Sequence, residues 1–508
     1  MTDSILINLG LRFINALKYM LESSVIYNLF RVFFNWLVKD IKKSRFIGFI
    51  CKDEKTSFYA KYSAILGNIQ DVLSRFSVYC RNFYDQKKEM LHASKFFKML
   101  TFISKDIIFA LGVFVCLQMI IPESKWHNIY NILFIVFTVL VYLVKTTIDI
   151  RFNMNLNKID VSILVFMATV LLAVFNSRFS IDSIKYLIFY VSIFLFGFIL
   201  VNSIRNKYAF IKFVKFIVGM SVSICVFGVI QFILGIPVDP LLIDLNMGLM
   251  LSRVYSTLGN PNVYAGVLVL VLPYYMLLFL EFNNTRERIL IALIGALALC
   301  NIALTYSRAA YVSAIVAIGT FLILKNRKMF PLVLIGMIIA IPYIPSNVLE
   351  RLLTLGKDTS SKYRFDIWST SFKIVKDNWF LGIGINIEKF KLLFTQYSKY
   401  SPPSHTHLFF LQIWLELGLL GLMSMIWMLL RLIKWALKIL ILETDNKMNN
   451  IIIANISAIA GIILFSFAEN IGFSLRMLYM FWIAVMLLVV SLNISGKQYK
   501  KLDMQIIE

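Results

Sequence analysis

Between residues 107 and 492 the chain alternates long apolar runs with short polar turns, and this pattern leaves little freedom in the fold. Runs near 107–121, 129–145, 159–176, 184–203, 211–235, 262–281, 288–306, 309–324, 329–345, 407–430, 450–468 and 474–492 approach or reach the length that crosses a bilayer. Hydrocarbon offers backbone N–H and C=O groups no partner, so such runs must pair internally as helices. An all-α, polytopic membrane protein with about twelve transmembrane helices is predicted. Composition agrees: 59% of residues are hydrophobic and mean hydropathy is +0.77, values that no water-soluble domain sustains.

Charge sets the orientation. Lys145, Arg151 and Lys158, then Arg205, Lys207, Lys212 and Lys215, then Arg286 and Arg288, fall on the side of the basic N-terminus. Lys325, Arg327 and Lys328, then Arg431, Lys434 and Lys438, then Lys497, Lys500 and Lys501, fall there too. The positive-inside rule makes that side the cytoplasm, with both termini on the cytoplasmic side of the inner membrane. The net charge of +23 is thereby explained without nucleic acid. Cys51, Cys80, Cys116, Cys225 and Cys300 are odd in number and scattered, which suggests neither a disulfide framework nor a zinc site. No compact apolar segment followed by a small-residue cleavage site opens the chain, so no removable signal is read.

Three regions follow: a basic, helical cytoplasmic region over 1–105, a transmembrane domain over 106–495 and a cytoplasmic tail over 496–508. In the first, Tyr59, Tyr62, Leu66, Ile69, Leu73, Phe76, Cys80 and Phe83 alternate spacings of three and four, as in a helix–helix seam. Leu6, Leu9, Phe13, Ala16 and Met20 could supply the partner; alternatively the region could lie on the inner leaflet, dock cytoplasmic partners, or be a cytoplasmic extension that only folds and solubilises. The transmembrane domain carries a large external loop, 346–406, between spans nine and ten. There Phe365, Trp368, Phe372 and Val375 share one helical face, and Ile387, Phe390, Phe394 and Tyr397 another, with Leu381-Gly-Ile-Gly384 as the turn between them.

With this orientation the notable polar residues lie outside. Arg253 and Asn260-Pro-Asn262 precede span six, Tyr306-Ser-Arg308 forms the turn between spans seven and eight, and Arg364 lies in the large loop. His405 and His407 end that loop, with His407 expected in the first turn of a long helix. Glu416 follows nine residues on, about 13–14 Å deeper at about 1.5 Å per residue. An imidazole at the membrane surface above an intramembrane carboxylate is costly to place without a role. Arginines at an outer surface suit lipid phosphate or lipid-linked diphosphate, which guanidinium holds bidentately. No Asp-x-Asp, Walker loop or His-Glu-x-x-His occurs in these loops, so no metal or cofactor is expected. A histidine base with arginines on a diphosphate leaving group suffices chemically.

Gly259-Asn-Pro-Asn-Val-Tyr-Ala265, Tyr306-Ser-Arg-Ala-Ala-Tyr311, Arg364-x-x-x-Trp368 with Leu381-Gly-Ile-Gly384, and His407 followed by Glu416-Leu-Gly418-x-x-Gly421 stand in the order seen in the O-antigen ligase and polymerase superfamily. The chain resembles that superfamily over about 100–492. The resemblance implies a glycosyltransferase that draws on an undecaprenyl-diphosphate-linked glycan at the outer face of the cytoplasmic membrane. It implies His407 as general base on an acceptor hydroxyl, and Arg253 and Arg308 on the lipid diphosphate. Asn260, Asn262, Arg364, His405 and Glu416 are candidates for supporting roles. Family members usually carry Asn after this histidine, where Leu408 stands here. Glycan, lipid and protein acceptors all fit the motifs. The competing readings are a lipid-linked oligosaccharide flippase, which needs cations at mid-membrane depth, and an ion-coupled transporter, which needs an internal repeat.

Overall fold

A computed structural model describes residues 64–177, 180–237, 253–326 and 359–505, with backbone alone at 359–361 and 496–505. The helices are Ala64–Ala93 (α1), Lys95–Lys105 (α2), Ile107–Ile120 (α3), Ile129–Ile148 (α4), Val161–Asn176 (α5), Ile181–Ser203 (α6), Lys207–Ile233 (α7) and Pro261–Glu281 (α8). Thr285–Leu304 (α9), Arg308–Lys325 (α10), Thr359–Asp377 (α11), Ile387–Tyr397 (α12), Phe409–Leu442 (α13), Asn446–Ser466 (α14) and Leu475–Gln505 (α15) complete them. No strand occurs among the described residues.

Among these, nine helices are long and apolar enough to cross a membrane: α4, α6 to α10, and α13 to α15. The predicted span 329–345 lies outside the described residues, and so do residues 1–63 with the proposed partner seam. Two other runs fall short of the expectation. The α3 helix has 14 residues and meets α2 at a 96° bend, and α5 has 16. At about 1.5 Å per residue neither alone covers a hydrocarbon layer about 30 Å thick. Side-chain caps mark the starts: Asp106 for α3, Asp160 for α5, Asn206 for α7, Asn260 for α8 and Asp445 for α14.

The centre of the bundle is built from α8, α14 and α15. Tyr264, Tyr274, Phe465, Tyr479 and Phe481 are fully buried there. The α14 helix packs on α8 and α10, α13 on α5, and α3 on α7. Arg431 of α13 does more than add to the basic side predicted from the sequence. Its Nε donates to both carboxylate oxygens of buried Asp160, at 2.9 and 3.1 Å, and locks α13 to the start of α5.

The N-terminal seam is rotated from its predicted register. Ile69, Phe76 and Phe83 are exposed, while Leu66 and Leu73 are partly buried. The inward face also carries polar groups. Gln70 donates to Met154 O (3.0 Å) and accepts from Leu156 N (2.8 Å), and Arg81 donates to Thr146 O (3.2 Å). The last turn of α4 and the loop after it receive this side of α1, and its polar residues meet backbone groups there. In α11 the buried positions are Ile367, Ile374 and Val375, whereas Phe365 and Phe372 point out. Phe390 and Phe394 of α12, read from the sequence as sharing one helical face, are buried and pack with Leu411 and Leu415 of α13.

Candidate active site

The α8, α10, α13 and α15 helices all begin at one end of the bundle, and the polar loops converge there. Gly259 turns the chain with φ +71°, and Asn260 caps α8 by accepting from Asn262 N at 2.8 Å and Val263 N at 3.4 Å. Pro261 occupies the first helical position, where its missing N–H costs nothing. The cap fixes Asn262, whose Oδ1 accepts from Arg253 Nη2 at 2.9 Å and whose Nδ2 donates to Glu469 Oε1 at 2.7 Å. Arg253 is buried, and its Nε donates to Thr305 O at 2.9 Å. Tyr306 follows with φ 51°, and Arg308 opens α10 directly after this turn.

Glu469, in the turn between α14 and α15, is the hub. Arg364 of α11 donates from Nη2 to Glu469 Oε1 at 2.5 Å and from Nη1 to Ala468 O at 2.9 Å. One helical turn later Trp368 Nε1 donates to Thr406 O at 3.0 Å. The i, i+4 spacing of Arg364 and Trp368 thus ties the 467–474 turn to the histidine loop. His407 has φ 55°, and its Nδ1 lies 3.8 Å from Glu469 Oε2, within ion-pair range and beyond a direct hydrogen bond. Its backbone N–H donates to His405 Nδ1 at 3.1 Å, and the two rings are 4.0 Å apart.

Burial and neighbouring charges together set the protonation of His405 and Glu469. His405 is pushed down to about 3 by burial first and by neighbouring His407 second, so it is neutral. Burial alone would raise the Glu469 carboxyl. Arg364 and the two histidines outweigh it and hold Glu469 at about 2, ionised at any physiological pH. Among the described residues no group of three His, Cys, Asp or Glu side chains is arranged to hold a metal ion.

His407 and Glu416 prove to have different partners. His407 is not in the first turn of a helix: it lies two residues before α13, which begins at Phe409 with Leu408 as its N-cap. Glu416 accepts from Gln412 Nε2 at 2.6 Å, and Gln412 Oε1 accepts from Thr406 N at 2.8 Å. The long side chain of Gln412 and the left-handed turn at His407 aim the two acid–base groups apart. Thus Arg253, Asn262, Arg364, His405 and His407 meet around Glu469, while Asn260 serves as a helix cap and Glu416 braces Thr406 through Gln412. Sequence reasoning missed Glu469. The available signal was an acidic residue in a short turn on the same face as His407.

The Gly-x-Gly turn docks into a break in α13. Gly418 has φ 70° and ψ −170°, which interrupts the helix and frees the carbonyls before it. Ile383 N donates to Leu415 O at 2.7 Å, Gly384 N to Glu416 O at 3.0 Å, and Leu419 N to Trp379 O at 3.0 Å. Backbones approach this closely only without side chains. A Cβ on Gly418 would stand 2.1 Å from Phe380 O, and one on Gly382 would stand 2.6 Å from Gly418 N. On the other side Asn176, the last residue of α5, donates to Gly382 O at 2.9 Å.

This architecture is that of a multi-pass helical membrane protein with a charged, half-buried site where its long helices begin. Residues 292–426, from α9 through α11 and α12 to just past the Gly418 break, match the family model described as O-antigen ligase. That match supports the resemblance to the O-antigen ligase and polymerase superfamily. No curated protein significantly matches the chain.

Proposed function

We propose that the protein is an integral-membrane glycosyltransferase. It moves glycan from an undecaprenyl-diphosphate-linked donor to an acceptor hydroxyl at the outer face of the cytoplasmic membrane. The observation that carries this reading is His407 beside the ionised Glu469, which is paired with Arg364 and joined through Asn262 to Arg253, in a chain that matches O-antigen ligase over 292–426. With Nδ1 facing the carboxylate, Nε2 of His407 is left for the acceptor. Glu469 favours the Nδ1–H tautomer and stabilises the imidazolium that forms when Nε2 takes the acceptor proton. The acceptor oxygen bonds to the anomeric carbon as the bond from that carbon to the diphosphate breaks. The diphosphate leaves with the electron pair, and Arg253 and Arg308 stabilise its growing charge. No metal enters this scheme. Ligase and polymerase reactions share the step and differ in the acceptor.

The test is glycan transfer in purified membranes supplied with lipid-linked donor and acceptor, with EDTA present. His407→Ala loses about 10²–10⁴-fold in rate and retains donor binding, while His405→Ala loses much less. Arg253→Lys and Arg308→Lys each lose most activity, because a point charge cannot replace a planar fork. Near-normal transfer by His407→Ala rejects the base assignment, and loss of wild-type transfer in EDTA rejects the metal-free scheme. Donor movement across liposomes without transfer to any acceptor puts a flippase in its place.

A further inference from the structure

At the opposite end of the bundle, the bend between α2 and α3, the ends of α4 and α6, and the start of α7 surround a cavity of about 360 Å³. Lys105, Lys145, Arg151 and Arg205 line it against a single lining carboxylate, Asp106, which Lys212 already engages. Adding Lys212 and nearby Asp149 makes five cations and two carboxylates around the cavity. Asp149 lies 3.6 Å from Lys145 and 3.0 Å from Arg151, so one carboxylate serves two cations. Lys145 and Arg205 also stack on the same Phe152 ring, at 4.7 and 3.8 Å. Such crowding of like charge is unfavourable until an anion joins it.

A further observation points to a ligand. Ser203, also in the wall, is 4% exposed, and its hydroxyl has no hydrogen-bond partner. Buried hydroxyls ordinarily have one.

The surroundings indicate where the anion comes from. The α2 helix turns 96° away from α3 and leaves Phe96, Met99 and Phe102 exposed, as in a helix lying along a membrane surface. Next to lining residues Arg151 and Ala209, Ile150 and Tyr208 are 73% and 79% exposed. A cationic cavity with an apolar rim at head-group depth suits a phosphate carried on acyl chains.

We propose that this cavity binds the phosphate head group of an anionic phospholipid from the leaflet opposite His407. The phosphate oxygens accept from the Ser203 hydroxyl and from the lysine and arginine donors, and the acyl chains leave over the apolar rim. This inference does not depend on glycosyl transfer.

Native mass spectrometry of the purified full-length protein tests it, with phosphatidylglycerol, phosphatidylcholine, glycerol 3-phosphate and inorganic phosphate as probes. Phosphatidylglycerol binds more tightly than phosphatidylcholine, and Lys105→Gln with Arg151→Gln weakens it about tenfold. Ser203→Ala, which removes only the hydroxyl, weakens it about threefold and keeps the test decisive if the double variant does not fold. Equal binding of phosphatidylcholine, or unchanged phosphatidylglycerol binding in correctly folded variants, overturns the proposal. Glycerol 3-phosphate or inorganic phosphate binding as tightly as phosphatidylglycerol overturns the lipid source and assigns the cavity to a soluble phosphate.

Discussion

Glu469 presents one carboxylate oxygen to Nδ1 of His407 at 3.8 Å, while its other oxygen is held by Arg364 at 2.5 Å and Asn262 at 2.7 Å. The carboxylate is thus fixed before it meets the imidazole, an arrangement that suits the base role proposed for His407.

Glu469→Gln should therefore lower transfer by about 10–100-fold, less than loss of His407 itself. The amide keeps the size but cannot stabilise the imidazolium, so the loss should fall on kcat more than on KM. A purely structural role would give a temperature-sensitive protein with normal kcat at low temperature, and steady-state kinetics alongside thermal unfolding separate the two.

Acid should loosen the site in two stages. His405 protonates near 6.5 when unfolded and near 3 when folded, and Glu469 near 4.5 and near 2. In each window the unfolded state binds the extra proton, so stability falls as pH falls. Between about 6.5 and 4.5 His405 contributes this loss, and below 4.5 Glu469 adds to it. The melting temperature of the detergent-solubilised protein should drop further from pH 7 to pH 5 in the wild type than in His405→Phe. An equal fall in both would show that other groups set the slope.

The glycine junction makes a sharp stability prediction. Gly418→Ala should cost about 3 kcal/mol or more, since its backbone region is essentially open to glycine alone and the Cβ would strike Phe380 O. Gly219→Ala in α7 meets nothing within 4 Å and should change stability by at most about 1 kcal/mol. Thermal unfolding of the two variants checks the contrast.

Orientation can be read with single cysteines on a cysteine-free background. Cysteine at Lys391, on α12, should react with an impermeant thiol reagent in cells whose outer layers admit it, and cysteine at Arg151 should not. The reverse pattern would exchange the faces assigned to the His407 site and the cationic cavity.

Much of this arrangement was legible because its cause is local. Apolar length marks the runs, and the described helices follow them at every place except 329–345, which lies outside the described residues. Caps such as Asp160 and Asn206 sit in plain view one residue before their helices. Arg253, Asn262, Arg364 and His407 stood out as polar residues on one predicted face. Pairing was hidden because it is tertiary. Nothing local tells that Arg364 will reach Glu469 or that Glu416 will turn to Gln412 rather than His407. The 96° bend before α3 was not legible, because it depends on Asp106 leaving one helix and capping the next.

The docking of residues 379–384 into the Gly418 break also limits how large molecules can come and go. Lifting α11 and α12 away as a hinged cover would strand the carbonyls of Leu415 and Glu416 and the amide of Leu419 where lipid offers no replacement. Each stranded group costs several kcal/mol, about 2–7 for an amide taken from water to an apolar medium. These outer helices and the first turns of α13 therefore travel as one rigid piece. For the transferase proposed above, the donor's entrance would then be a lateral portal between that piece and the neighbouring helices rather than an opening roof.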